Sequence, residues 1–272
     1  MSDYKSPGLD GFPAEFYKKK LGYCQEGCYS LKFLNSGHLL KEINNTFITL
    51  IPKFDNPSNM VDYRPISLCN AIYKIASKVL VNRLKPFMNS LVSPFQNGFV
   101  HGRGIQDNII MAQELTHIIR TSKCKKIGLV VIKIDMSKAK AFDRIKWDFL
   151  FKLLKTTGFS GYWVKLIKEC LPLSCTRLLL MDKFWKPSSL SYGLRQGAPL
   201  SPILFALCTE ALSSSLQFHQ DQGNLKGIGL ARNGPKLFHL LFVDDSYFFM
   251  HLDNKSLDSF CSSLNFFCAD SG

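Results

Sequence analysis

Apolar residues at 72, 75, 76, 79, 80, 84, 87, 88 and 91 recur at the spacing of one helix face, so residues 72–91 predict a helix. Pro86 lies inside that stretch and predicts a kink or a split. The same period predicts helices over 107–119, 146–155 and 163–170, and a short one opening at Pro13 and closed by Lys18-Lys19-Lys20. From Ile203 to about Phe218 the chain is apolar on most sides, which predicts a helix buried against a sheet. Ser201 is its expected N-cap, and Pro202 suits the first turn.

Strand signals fall between these helices. Residues 46–51 are β-rich and stop at Pro52. Residues 127–134 are β-branched and deliver Asp135 at their end. Residues 176–181 and a segment near Leu190 read as the two strands of a hairpin. Leu237 to Met250 is two apolar runs broken by Asp244-Asp245, which predicts a tight hairpin with the acids at or beside its turn.

Composition narrows the class. With 272 residues, 46% hydrophobic and 20% charged, the chain is globular and long enough for one large domain or two subdomains. No apolar run reaches the 18 or more residues of a membrane span, and the first residues lack the order of a secretory signal. These features predict a soluble intracellular protein, with nucleus and cytoplasm not distinguished. The nine cysteines are scattered; Cys24 and Cys28 are the closest pair, and no His or second pair completes a zinc pattern. They read as reduced packing residues. The formal charge is +13, and residues 1–126 hold 17 basic and 9 acidic residues. Such an excess favours a polyanionic partner, most simply nucleic acid.

Candidate chemistry gathers at strand ends. Asp244 and Asp245 repel each other if both are ionised, and a hard divalent cation relieves that repulsion. The alternative is a solvated turn, where Asp is common. Asp135 shares the context, closing another apolar strand. If the two strands are neighbours, three carboxylates converge and can hold two magnesium ions about 3.5–4 Å apart. If they are not, the aspartates are unrelated strand ends. Lys53 follows a strand end, and Pro65 holds Arg64 extended. Arg64 suits either a structural ion pair or a bidentate phosphate clamp. The loop from Gln96 to Gly104 carries three glycines without the strand–helix setting of a dinucleotide or phosphate loop.

An ordered series of motifs carries a resemblance. Lys5-Ser6-Pro7-Gly8-Leu9-Asp10-Gly11 comes first, then Leu50-Ile51-Pro52-Lys53 and Asp62-Tyr63-Arg64-Pro65-Ile66-Ser67-Leu68-Cys69-Asn70. Lys133-Ile134-Asp135-Met136-Ser137-Lys138-Ala139, Gly193-Leu194-Arg195-Gln196-Gly197, Pro199-Leu200-Ser201-Pro202 and Phe242-Val243-Asp244-Asp245 complete it. The series resembles the reverse transcriptase domain of plant LINE-type non-LTR retrotransposons. The resemblance implies an α+β right-hand polymerase fold, with an antiparallel palm sheet packed on helices and the thumb missing. It implies mostly helical, basic fingers over residues 1–125 and a palm, cut short at its C-terminal end, over 126–272.

For the site, the resemblance implies that Asp135, Asp244 and Asp245 are catalytic and hold two Mg²⁺ ions, with Mn²⁺ as a substitute. Lys53 and Arg64 would contact the incoming triphosphate, and Gln196 and Gly197 would line the nucleotide and template pocket. Phe142 would exclude the ribose 2′-hydroxyl. Arg103 and Arg195 are the expected nucleic-acid contacts. The implied partners are an RNA template, a DNA primer and deoxynucleoside triphosphates, with no membrane and no obligate protein partner. One departure stands out: the family's aromatic follows the aspartate at the fifth position, whereas Phe142 is the seventh residue after Asp135 and Lys140 the fifth. Either the extra pair bulges and Phe142 still reaches the sugar, or Lys140 enters the pocket. The activity expected is RNA-directed DNA polymerisation. The rival readings are an inactive relic that at most binds nucleic acid, and a metal-dependent phosphodiesterase.

Overall fold

The computed structural model describes residues 7–8, 10–12, 15–16, 25–121, 128–136, 141–171, 176–180, 183–184, 191–230, 234, 236–242 and 245–272. In chain order these form α1 (Gln25–Ser36), α2 (Lys41–Asn44), β1 (Thr46–Pro52), β2 (Tyr63–Cys69), α3 (Ala71–Leu91), α4 (Ile105–Thr121), β3 (Leu129–Asp135) and α5 (Ala141–Arg144). Next come α6 (Trp147–Thr156), α7 (Gly161–Cys170), β4 (Thr176–Leu180), β5 (Lys183–Phe184) and α8 (Ser201–Asp221). The last are β6 (Ile228–Gly229), β7 (Lys236–Leu237), β8 (His239–Phe242), β9 (Asp245–His251) and α9 (Asn254–Ser271). Of the short helix expected at residue 13, Glu15 and Phe16 are described, and both are helical. Among the described residues no helix is long and apolar enough to cross a membrane.

The chain divides into two compact units, each built from two segments. One comprises Met1–Leu84 with Ile145–Pro202, the other Lys85–Arg144 with Ile203–Gly272. The expected break at Pro86 does not occur, since α3 runs through it. Val81, Leu84 and Met88 are buried along its stripe. Packing of that stripe carries the helix past the one hydrogen bond that proline forfeits.

The first unit is organised on a sheet of order β2-β1-β4-β5. β1 runs antiparallel to β2 from Thr46↔Cys69 to Pro52↔Tyr63, and parallel to β4. β4 pairs with β5; the segment near Leu190, expected as the second strand of the hairpin, lies outside the described residues. The motif at the N-terminus has a structural task here. The Asp10 carboxylate accepts a hydrogen bond from the Ala71 N–H at 2.9 Å, capping α3, and the Asp10 N–H donates to Asn70 Oδ1. Asn70 in turn donates to the carbonyls of Glu42 and Ile43. A Cβ on Gly8 would lie 2.6 Å from Asn70 Cα, so only glycine fits against this clasp.

The second unit holds a sheet of order β3-β9-β8, antiparallel throughout. Leu240 and Phe249 point to one face and pack with Leu115 of α4, Ile228 and Leu237. On the other face Phe248 meets Phe260 of α9, ring centroids 4.8 Å apart. His239 points the same way, its Nε2 2.8 Å from the Ser213 hydroxyl of α8. Helices therefore cover both faces, which is why β9 is apolar at consecutive positions. The outer edge of β8 is extended by residues 95–97: Leu241 N–H donates to the Phe95 carbonyl, and Asn97 N–H to the Leu241 carbonyl.

Burial lowers the pKa of His239 from its ordinary 6.5 to about 3, so the folded protein keeps it neutral. The unfolded chain takes up that proton below about pH 6.5 and the folded chain does not, so stability is lost as pH falls toward 3. Between pH 7 and 5 His239 should cost about 2 kcal/mol of unfolding free energy. Urea unfolding of the wild type and His239→Gln at both pH values checks this: the wild type should lose more by that amount.

Candidate active site

β3 and β9 pair in a register that sets Asp135 directly opposite Asp245, with Ile134↔Ser246 and Lys133↔Tyr247 behind them. Opposite residues of an antiparallel pair share a face, and residues two apart along a strand share it too. Asp135, Asp245, Lys133 and Tyr247 therefore stand on one face, while Ser246 turns to the other and is buried. Asp135 and Asp245 lie at the end of the strand pair where β9 begins. The last described pair of the β8–β9 ladder is Phe242↔Asp245. Asp244, the third expected carboxylate, lies outside the described residues, as does Val243.

The Lys133 ammonium is 3.2 Å from Asp245 Oδ2, in a pair whose side chains are 49% and 41% exposed. Its hydrogen bond to Asp245 raises the Lys133 pKa. The same ammonium lies 5.5 Å from the centre of the Tyr247 ring. Asp135 and Asp245 are hard oxygen donors on one partly open face, and Asp245 already draws a cation. That donor set fits magnesium or manganese. Among the described residues no group of three or more His, Cys, Asp or Glu gathers as a metal site, so the described pair is two-thirds of the expected triad.

Phe142 sits on α5, stacked on the buried Phe205 of α8 with ring centroids 4.0 Å apart and planes 15° from parallel. The described chain resumes at Ala141, so Lys138 to Lys140 lie outside the described residues. The backing ring fixes where Phe142 stands despite its two-residue displacement in sequence.

The other expected nucleotide contacts, Lys53, Arg64, Gln196 and Gly197, belong to the first unit. Lys53 continues the β1–β2 ladder, its N–H donating to the Asp62 carbonyl at 2.9 Å, and Arg64 pairs with Ile51. Register thus places Lys53 and Arg64 as diagonal neighbours on one face of the hairpin, at its loop end. Both are exposed. Gln196 and Gly197 dock on the same strand: Ser67 N–H donates to the Gln196 carbonyl at 2.8 Å. Gly197 has φ +99°, a conformation that favours glycine, and a Cβ there would lie a tight 3.2 Å from the Ser67 carbonyl oxygen.

The two arginines expected at nucleic acid are spent elsewhere. Arg195 is 6% exposed, donates to Asn44 Oδ1, Thr46 Oγ1 and the Leu171 carbonyl, and stacks over Tyr73 at 4.6 Å. Arg103 donates to the carbonyls of Asn89, Val92, Ser93 and Gln96 and to Asn89 Oδ1, tying off the end of α3. A guanidinium has five N–H donors. Those of Arg103 are committed to four main-chain carbonyls and to Asn89 Oδ1, so its task is structural, and burial gives Arg195 the same task. Neither was separable from Arg64 by residue type alone. The distinguishing signals were Pro65 after Arg64 and the glycines flanking Arg103, which mark an extended strand and a folded loop. Lys133 and Phe205 were overlooked. A charged residue inside an otherwise β-branched run was the available sign for Lys133; nothing in the sequence marked Phe205.

Arg195→Met should lower stability by about 3 kcal/mol in urea unfolding, because it leaves buried acceptors unpaired. Arg103→Ala should leave the slope of log affinity for single-stranded RNA against log salt unchanged, where loss of a phosphate contact lowers it by about 0.7.

Residues 51–272 match the family described as reverse transcriptase (RNA-dependent DNA polymerase). A 149 kDa protein of transposon TX1 from Xenopus laevis is 30% identical over 213 residues, 77% of this chain and 16% of that protein. A Pol polyprotein from the retrotransposable element R2 of Popillia japonica is 28% identical over 201 residues, 72% of this chain and 26% of the polyprotein. The chain thus spans a minor part of the relatives it matches. Apo telomerase of Candida tropicalis, truncated from its C-terminal domain, aligns with a TM-score of 0.57 at 12% identity, covering 82% of this chain and 47% of that one. That likeness shows a shared polymerase fingers–palm fold. With the carboxylate pair at the end of β3 and β9, and a family match over most of its length, the chain belongs to the reverse transcriptase family, with relatives from non-LTR retrotransposons.

Proposed function

We propose that this chain performs RNA-directed DNA synthesis: the primer 3′-hydroxyl attacks the α-phosphate of a deoxynucleoside triphosphate paired with an RNA template, and pyrophosphate leaves. The observation that carries the reading is the Asp135↔Asp245 register in a chain of this family. Asp135, Asp244 and Asp245 would hold two magnesium ions, or manganese. Bound there, the ions would lower the pKa of the attacking hydroxyl and offset charge on the leaving oxygen.

The remaining roles fall to side chains. Lys53 and Arg64 supply positive charge to the triphosphate; a guanidinium matches two phosphate oxygens at once, and an ammonium acts as a point charge. Gln196 and Gly197, on a loop held to β2 by the Gln196 carbonyl, line the nucleotide and template pocket. Phe142, backed by Phe205, excludes the 2′-hydroxyl from its side of the sugar. In this reading the β1–β2 hairpin belongs to the fingers and the β3-β9-β8 sheet to the palm.

One observation favours a second reading, an inactive relic that binds template only: the two extra residues between Asp135 and Phe142. Extension of a DNA primer on an RNA template with Mg²⁺ separates the two. Activity should appear in the wild type and fall at least about a hundredfold in Asp135→Asn and Asp245→Asn, the scale set by loss of one preorganised charged group. Template binding should be unchanged in both variants. Template binding without extension in the wild type establishes the relic, and shortening of the labelled strand without nucleotides establishes a phosphodiesterase. Arg64→Ala should raise the KM for the deoxynucleotide about tenfold or more, the worth of a charge-assisted hydrogen bond.

A further inference from the structure

We propose that Lys133 is a tethered counter-ion of this carboxylate site: it holds Asp245 while no metal is bound, and a divalent cation must displace it. This rests on the reading that Asp135 and Asp245 hold a metal. The register puts Lys133 on the same face as both aspartates, two residues before one and diagonally across from the other. Its Nζ is 3.2 Å from Asp245 Oδ2. Magnesium binds carboxylate oxygen at about 2.1 Å, so a cation on that oxygen would lie within about 5.3 Å of the ammonium. Three positive charges over that span repel each other, and one cation must yield.

Geometry makes the ammonium the one that yields. The pair is about half exposed at both ends, so water and ions screen it and opening it costs little. The Tyr247 ring, 5.5 Å from Nζ, offers a nearby negative face on which a displaced ammonium can rest. The device has a purpose in the metal-free protein. Asp135 and Asp245 stand opposite each other at the end of the palm strands, and repulsion between ionised neighbours opposes the pairing that brings them together. One lysine neutralises part of that charge, and the cost is weaker metal binding. Lys133 is thus a positioning residue that sets the cation concentration at which the site fills.

The test is binding of Mn²⁺ to the whole chain without nucleic acid or nucleotide, read from the electron paramagnetic resonance of the free ion. Lys133→Met and Lys133→Gln should each bind Mn²⁺ about fivefold more tightly than the wild type, the upper range for opening an exposed ion pair. Lys133→Arg, which keeps the charge, should bind as the wild type does, and Asp245→Asn should bind most weakly. In EDTA the two charge-free variants should melt below the wild type and regain the difference when Mn²⁺ is added. Equal or weaker Mn²⁺ binding by both charge-free variants, with Asp245→Asn still impaired, overturns the counter-ion role and leaves the metal site standing. If Asp245→Asn binds as tightly as the wild type, the metal reading fails and the counter-ion role falls with it.

Discussion

The register between β3 and β9 is the constraint on which the rest of the second unit depends. A slip of one residue would turn Asp135 and Lys133 to the opposite face and bring Ile134 out beside Asp245. The sheet resists that slip because it is buried on both faces. Phe249 is committed to the α4 side and Phe248 to the α9 side, and both are inaccessible to solvent. Side chains about 10 Å from the carboxylates along the strand therefore fix where those carboxylates stand. Helices over both faces serve the site by forbidding the alternative pairing.

A second constraint is the division of labour among cations. The chain is strongly basic, yet its arginines are not equivalent. Arg195 and Arg103 satisfy carbonyl and amide oxygens that loops would otherwise leave unpaired. Burying such acceptors without a donor is costly, so these guanidinium groups are fixed by folding. Arg64 and Lys53 occupy the opposite situation, exposed on one face of a hairpin whose backbone bonds are already made. Both residues are exposed, where an anion can reach them. Net charge alone does not distinguish the two classes; exposure does.

The same logic applies to Asp10 and Asp245. Asp10 lies in the motif near the N-terminus, and its carboxylate caps α3. Asp245 is held by a flexible lysine on an open face. A carboxylate bonded to a backbone N–H cannot turn to a new cation without uncapping a helix, whereas one paired with an exposed ammonium can. Local partners therefore hold the first aspartate in the architecture and leave the second able to exchange its cation.

By itself the sequence determined the elements and their order. Apolar periodicity located α3, α4, α6, α7 and α8 within a few residues, because a helix or strand records its buried face as a local repeat. The ordered motifs determined the family, and the apolar runs ending in Asp135 and Asp245 marked the strand ends that matter. Tertiary structure alone decided what those elements meet. It paired β3 with β9 across 109 residues of chain, continued α3 through Pro86, and added the parallel partner β4 to β1. It also buried Arg195, spent Arg103 on carbonyls, set Lys133 against Asp245 and backed Phe142 with Phe205. The physical reason is common to all of these. Periodicity reports only whether a side chain is buried, while a partner is chosen by packing between segments distant in sequence, and no local pattern encodes that choice.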